Sequence, residues 1–175
     1  WFDIFALASG LSWSSFVAKS ELRRIPLFGF AADCVGIVFI DRDNRKSAFE
    51  SYKLAAQEVQ RGRSIIVCPE GTRGRDYHLR PFKKGPFVLA IASQTPIIPT
   101  IVFGAREVMA KGSFVIRSHP IDLHFLPPVE TKGLDYDDRG ALMTTVWTNM
   151  VEAMETVYGI GSSEPSIAVT GERVE

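Results

Sequence analysis

The chain has 175 residues, 46% of them hydrophobic, with 20 basic and 20 acidic side chains. That length supports one domain with its own core, and a mean hydropathy of +0.06 excludes a disordered chain. The zero net charge argues against a general nucleic-acid binder, and no apolar run reaches the length of a membrane span.

No signal peptide is visible. The two cysteines, Cys34 and Cys68, stand among apolar residues, which makes a cytosolic, reduced protein the expectation. The chain opens on Trp1 rather than Met, so it is expected to be a fragment of a longer protein, with room upstream for a membrane anchor.

Trp1 to Leu11 places Ile4, Leu7, Ala8 and Leu11 at helical spacing. Ser14 to Ala18 predicts a short strand leading to Lys19. Ser20 is placed to cap a helix running to about Leu27, broken by Pro26, and Phe28 to Ala32 predicts a second apolar turn. Val35 to Ile40 reads as a buried strand ending at Asp41-Arg42. Ser47-Ala48-Phe49-Glu50 has the form of a capping box. It predicts a helix with Phe49, Tyr52, Ala56 and Val59 on one face, closed near Gly62. A buried strand over Ile65–Val67 follows.

Phe82-Lys83-Lys84-Gly85 opens an apolar helix through Phe87 to Ala92. Pro96 to Phe103 reads as an extended strand. Phe114–Arg117 and Ile121–Phe125 predict a hairpin around His119-Pro120, with Asp122 and His124 on a wet face. Leu142, Met143, Val146, Trp147, Met150, Val151, Met154 and Tyr158 form a core stripe on a long helix. Residues 159–175 read as a flexible tail after a catalytic domain over residues 1–158. Strands alternating with helices predict an α/β domain with a mostly parallel central sheet, antiparallel edge strands and flanking helices.

The organising stretch is Val67-Cys68-Pro69-Glu70-Gly71-Thr72-Arg73-Gly74-Arg75. Pro69 ends the preceding strand because it cannot donate to a ladder. Gly71 and Gly74 let the backbone turn and approach a ligand. In open α/β sheets ligands bind at the carboxyl ends of the strands. A hydroxyl, backbone N–H groups and guanidinium forks together suit a phosphate; an ordinary solvated turn with salt-bridged arginines is the plainer alternative. From Arg61 to Lys84 seven basic residues face two acidic ones, an excess that suits an anionic ligand or an anionic membrane surface. Cys68 has only His78 nearby as a partner for nucleophilic chemistry, so a buried, inert thiol is the expectation.

Pro-Glu-Gly-Thr-Arg at 69–73 resembles the third motif of the glycerolipid acyltransferases, which include the lysophosphatidic acid acyltransferases. Gly36-Ile37-Val38-Phe39-Ile40-Asp41-Arg42 is similar to the second motif, in which the Arg contacts the substrate phosphate. Phe16 to Leu22, followed by Ile25-Pro26 and Phe28-Gly29, is similar to the segment between the first two motifs, where Lys19 would also serve the phosphate. Pro96-Ile97-Ile98-Pro99 resembles the fourth motif, associated with the acyl donor or acyl chain. Phe82-Lys83-Lys84-Gly85 also matches, and Lys83 and Lys84 would meet the phosphates of coenzyme A.

The first motif of that family is His-x-x-x-x-Asp, in which the His takes a proton from the acceptor hydroxyl and the Asp orients the imidazole. None of the three histidines here has an Asp five residues later. Trp1-Phe2-Asp3-Ile4 resembles the end of that motif. Asp3 would then be its Asp, and the His would stand at the third position before Trp1. In a regular helix such a pair is ~140° apart, so the His would sit at the helix entry.

The resemblance implies a glycerol-3-phosphate acyltransferase-like fold and transfer of a fatty acyl group from acyl-CoA or acyl-carrier protein to lysophosphatidic acid. Lys19, Arg42, Glu70, Gly71, Thr72 and Arg73 would hold the glycerol phosphate, with Glu70, whose charge repels a phosphate, binding a glycerol hydroxyl or positioning an Arg. It implies no cofactor and no metal, since the thioester is already activated. The partners implied are the lysophospholipid, the acyl donor and a membrane surface, with no nucleic acid. Other readings are a different lysophospholipid or glycolipid acceptor, or a non-catalytic lipid- or phosphate-binding module. Arg23 and Arg24 beside Ile25-Pro26-Leu27-Phe28-Gly29-Phe30 form the mixture expected of a surface resting on anionic lipid. This predicts a protein on the cytoplasmic face of a membrane, peripheral or anchored by an upstream segment. The alternative for Leu27, Phe28 and Phe30 is a place in the core.

Overall fold

A computed structural model describes residues 2–11, 13–41, 45–72, 74 and 76–161, with the side chains of 45–50 and 53 left aside. Of the tail expected over residues 159–175, everything from residue 162 onward lies outside the described residues, as do Arg42, Arg73 and Arg75. The chain runs α1 (Phe2–Gly10), β1 (Ser14–Lys19), a 3-10 turn (Ser20–Arg24), α2 (Phe28–Cys34), β2 (Val38–Ile40), α3 (Arg45–Gln60) and β3 (Ser64–Ile66). It continues through α4 (Gly85–Ser93), β4 (Thr100–Phe103), α5 (Ala105–Val108), β5 (Asp122–Phe125), a second 3-10 turn (Tyr136–Asp138) and α6 (Arg139–Tyr158).

This is the expected α/β class with a parallel sheet. The order is β2-β1-β3, every neighbour parallel. The antiparallel strands form a separate two-stranded sheet, β4 with β5, rather than extending the parallel one. The register along β1 is staggered: Ser14, Ser15 and Phe16 pair with β3, whereas Val17, Ala18 and Lys19 pair with β2. The Ser15 hydroxyl, fully buried, donates to the Gly36 carbonyl and ties β1 to the lead-in of β2.

α4 is the shared wall of two cores. Leu89 packs with Ala55 and Ala56 of α3, with Val38, Ile65 and Val67 of the parallel sheet against them. Phe87 and Ile91 belong instead to the main core with Phe82, Ile101, Leu126 and the α6 stripe Leu142, Met143, Val146, Trp147, Met150 and Met154. The core stripe on the last helix is therefore as predicted. α6 follows a capping box between Asp135 and Asp138 and ends at Gly159, whose left-handed φ of +66° lets its N–H return to Glu155 O at 3.0 Å.

Several local expectations are corrected. Lys19, not Ser20, stands before the 3-10 turn, because β1 runs straight into it; the Ser20 hydroxyl meets Glu21 Oε2 at 3.4 Å. α3 begins at Arg45, so Ser47 lies inside the helix rather than capping it. β2 is only Val38–Ile40, since Val35 closes α2 and Gly36 turns at φ +76°. Phe114–Arg117 is not a strand: β5 pairs with β4, Thr100 opposite Phe125, and leaves no partner for a hairpin around His119-Pro120. The wet face of β5 is also misplaced, because His124 is half-buried with its ring 6.3 Å from Tyr158, while Phe125 is 46% exposed. Cys68 is exposed rather than buried, and Cys34 is exposed as well.

Candidate active site

The three parallel strands all end at one rim. Lys19 closes β1 and pairs in register with Ile40, the last residue of β2, so it stands near Asp41. β3 ends at Ile66, and Val67 to Thr72 continues over the same edge. Lys19 and Thr72 are exposed there, and Glu70 and Gly71 are half-buried. The fold therefore gathers Lys19, the end of β2 and the Glu70 turn, which the sequence separates by up to about 50 positions.

Backbone bonds hold the turn. Gly71 has φ +72°, a left-handed conformation in which a side chain would be strained, and its N–H reaches Cys68 O at 3.2 Å. Lys83 N–H donates to Pro69 O at 2.8 Å, which fastens the turn to the entrance of α4. Glu70 Oε2 accepts the Arg80 N–H at 3.3 Å. Burial pushes the Glu70 carboxyl above its ordinary range, and the Arg80 N–H and guanidinium pull the other way. Glu70 thus meets Arg80 through that residue's backbone N–H. Lys83 and Lys84, both exposed, flank the first turn of α4.

The basic excess between Arg61 and Lys84 does not gather at one place. Arg61 and Arg63 precede β3 at the opposite end of the sheet and pair with Glu58. The Arg63 guanidinium also fills the space where a Cβ on Gly36 would stand.

Asp3 sits half-buried in the first turn of α1. That helix packs against α5, and its far end at Gly10 abuts Leu123 of β5. Pro96-Ile97-Ile98-Pro99 belongs to the antiparallel layer. Ile97 forms a two-bond bridge with Val129 at 2.9 and 2.8 Å, buried Pro99 accepts Leu126 N–H at 2.9 Å, and Ile98 is exposed. The regular strand starts only at Thr100, because prolines 96 and 99 donate nothing to a ladder.

No short-range pattern announces the strap that backs the turn. Tyr77 Oη donates to the Glu107 carboxylate and accepts Gly104 N–H at 3.0 Å. Its ring stacks on Phe103 at 4.5 Å, and Phe103 stacks on Tyr158 at 4.3 Å. Partial burial, then the donation to Glu107, pushes the Tyr77 hydroxyl up to about 12. Tyr77 and Arg80 thus bind one short segment both to β4–α5 and to Glu70. Among the described residues no group of three or more His, Cys, Asp or Glu could hold a metal ion.

The family model described as Acyltransferase matches residues 1–103. The chain belongs to the acyltransferase family. Among acyltransferases with curated names, the 1-acyl-sn-glycerol-3-phosphate acyltransferase of Limnanthes douglasii is 41% identical over 116 residues, 66% of this chain and 41% of that protein. The enzyme of that name from Cocos nucifera is 36% identical over 87% of this chain and 48% of its own length. The alpha form from Homo sapiens is 32% identical over 81% of this chain and 50% of its own length. The chain therefore spans about half the length, or somewhat less, of these relatives. The crystal structure of the 1-acyl-sn-glycerophosphate (LPA) acyltransferase PlsC from Thermotoga maritima matches with a TM-score of 0.64 at 25% identity, covering 87% of this chain and 60% of that one. No helix among the described residues is long and apolar enough to cross a membrane.

Proposed function

We propose that this acyltransferase chain takes part in moving a fatty acyl group from acyl-CoA or acyl-carrier protein to the free hydroxyl of lysophosphatidic acid, giving phosphatidic acid. The observation that carries this reading is the common rim, where Lys19, the end of β2 and the Glu70–Thr72 turn converge. The names of the relatives at 32–41% identity support the acceptor.

In this reading Lys19, Arg42 and Arg73 neutralise the acceptor phosphate, with the Gly71 backbone and the Thr72 hydroxyl completing its contacts. Glu70 is not a phosphate ligand; its half-buried carboxyl orients a glycerol hydroxyl while Arg80 N–H holds it. Lys83 and Lys84 meet phosphates of the donor, and Ile98, exposed between Pro96-Ile97 and Pro99, offers apolar surface to the acyl chain. Asp3 orients an imidazole if a His stands five positions before it. That His would remove the acceptor hydroxyl proton as the oxygen attacks the thioester carbonyl, and would return it to the departing thiolate.

The reading also places the protein at the cytoplasmic surface of a membrane. Leu27 and Phe30 are 85% and 74% exposed, with Ile25 and Arg24 exposed beside them. That supports a lipid-facing surface over a place in the core, since a soluble face has little use for such a cluster.

Acceptor kinetics test the proposal. In an active chain that includes the upstream His, Arg42→Ala and Arg73→Ala should each remove a charge-assisted contact of roughly 1.5–3 kcal/mol. That corresponds to about ten- to a hundredfold in acceptor kcat/KM, with donor KM nearly unchanged. Equal losses on a neutral monoacylglycerol would overturn the phosphate assignment, and wild-type kinetics in both variants would overturn the site.

A further inference from the structure

Residues 109–116 form a loop whose base is fixed and whose tip is apolar. At the base, Arg117 N–H donates to the carbonyl of buried Val108 at 2.9 Å, so the chain leaves and rejoins the body at one point. Within the loop, Ser113 N–H reaches Ala110 O at 3.0 Å, and Gly112 turns at φ +85°. Three consecutive large apolar side chains follow. Phe114 is 98% exposed, and Val115 and Ile116 are exposed with it. On a strand, successive side chains alternate between faces; here all three face solvent, so the tip stands off the body.

Such a run is costly in water, and surfaces of this kind mark a partner. Charge identifies which one. Lys111 and Arg117 flank the tip, both exposed, and no acidic residue lies between Met109 and Pro120. The neighbouring surface continues the pattern: the loop springs from α5, α5 packs against α1, and α1 exposes Phe5.

We propose that residues 111–117 insert into the interface of an anionic bilayer, Phe114, Val115 and Ile116 entering the acyl boundary while Lys111 and Arg117 stay among the headgroups. This is a second lipid contact, separate in sequence from the one at Leu27 and Phe30. It sets the helix that carries Asp3 beside the membrane through α5. The seating concerns lipid binding alone and does not depend on acyl transfer.

A local probe tests it. Cys34→Ser and Cys68→Ser clear the native thiols, and an environment-sensitive fluorophore is placed on Phe114→Cys, Ile116→Cys or, as a control on α6, Val157→Cys. With vesicles of phosphatidylglycerol and phosphatidylcholine, the probes at 114 and 116 should shift to the blue and be quenched by a lipid-borne quencher, while the probe at 157 should do neither. Lys111→Glu with Arg117→Glu should lower the midpoint affinity for these vesicles by roughly tenfold or more, and raised salt should weaken it in the parent. Because the probe is local, the result holds even where other segments keep the protein on the vesicle. An unshifted probe at 114 overturns the proposal whether or not the protein sediments with vesicles. So does a shift that grows with protein concentration in the absence of lipid, which would assign the tip to a second copy of the chain. Inactivity toward lysophosphatidic acid would leave the fluorescence result untouched.

Discussion

The two ends of this molecule are built on different terms. Around α6, long apolar side chains from α4, β4 and the loop after β5 fill one continuous core, and an aromatic stack of Tyr77, Phe103 and Tyr158 closes one side of it. At the parallel rim the strands are three to six residues long, and the candidate site stands on exposed Lys19, a glycine turn and a half-buried carboxyl. The core accounts for stability through burial; the rim accounts for chemistry through backbone bonds and charge. The lesson is that α4 links them, with Leu89 in one core, Phe87 in the other, and its lead-in residue Lys83 bonded to Pro69.

The contrast breaks if the two ends respond alike. Phe87→Ala, at a side chain almost wholly buried in the main core, should cost about 3–5 kcal/mol of unfolding free energy. Denaturant melts would show it, and a change below ~1 kcal/mol would mean that the α6 core does not dominate. Tyr77→Phe should cost about 1–3 kcal/mol, since it leaves Gly104 N–H and the Glu107 carboxylate without their shared hydroxyl. It should also remove a pH dependence. With Tyr77 raised from 10.0 to about 12 in the folded chain, the unfolded state loses the proton first, so stability falls as pH rises across that interval. The Phe variant should lose that slope.

Glu70→Gln sharpens the comparison with the smallest effect. The folded carboxyl holds its proton above the ordinary 4.5, so just above that value the folded state binds more protons than the unfolded, and stability declines as pH rises. The Gln variant should flatten this segment of a stability–pH curve, and so melt slightly above the parent at neutral pH.

What was legible in the sequence was mostly local. The stripe from Leu142 to Met154 repeats at the helical period over 20 residues, and no competing pattern disturbs it. The turn at Glu70 announced itself through Pro69 and Gly71. The errors came where partners are distant. Phe114–Arg117 has strand-like side chains, but β5 took β4 as its neighbour, and nothing within Phe114–Phe125 encodes that choice. The basic run from Arg61 to Lys84 looked like one patch because sequence proximity hides the span of β3, which carries Arg61 and Arg63 to the other end of the sheet. Tyr77 and Glu107 lie 30 positions apart, beyond any short-range pattern.

The staggered register of β1 gives the rim a ledge. The ladder on the β3 side stops at Phe16–Ile66, while on the β2 side it continues to Lys19–Ile40. Three residues of β1 therefore overhang the last rung of β3, a step of about 10 Å at the usual rise. At this register Pro69 would face Lys19, and because it cannot donate to a ladder it bars the last of those three rungs. A small anionic head seated in that notch would meet the flank of one strand and the end of another at once, a corner rather than a flat face. Its depth is set by where a ladder stops, so the dimensions of the seat are written into backbone pairing before any charged side chain reaches it.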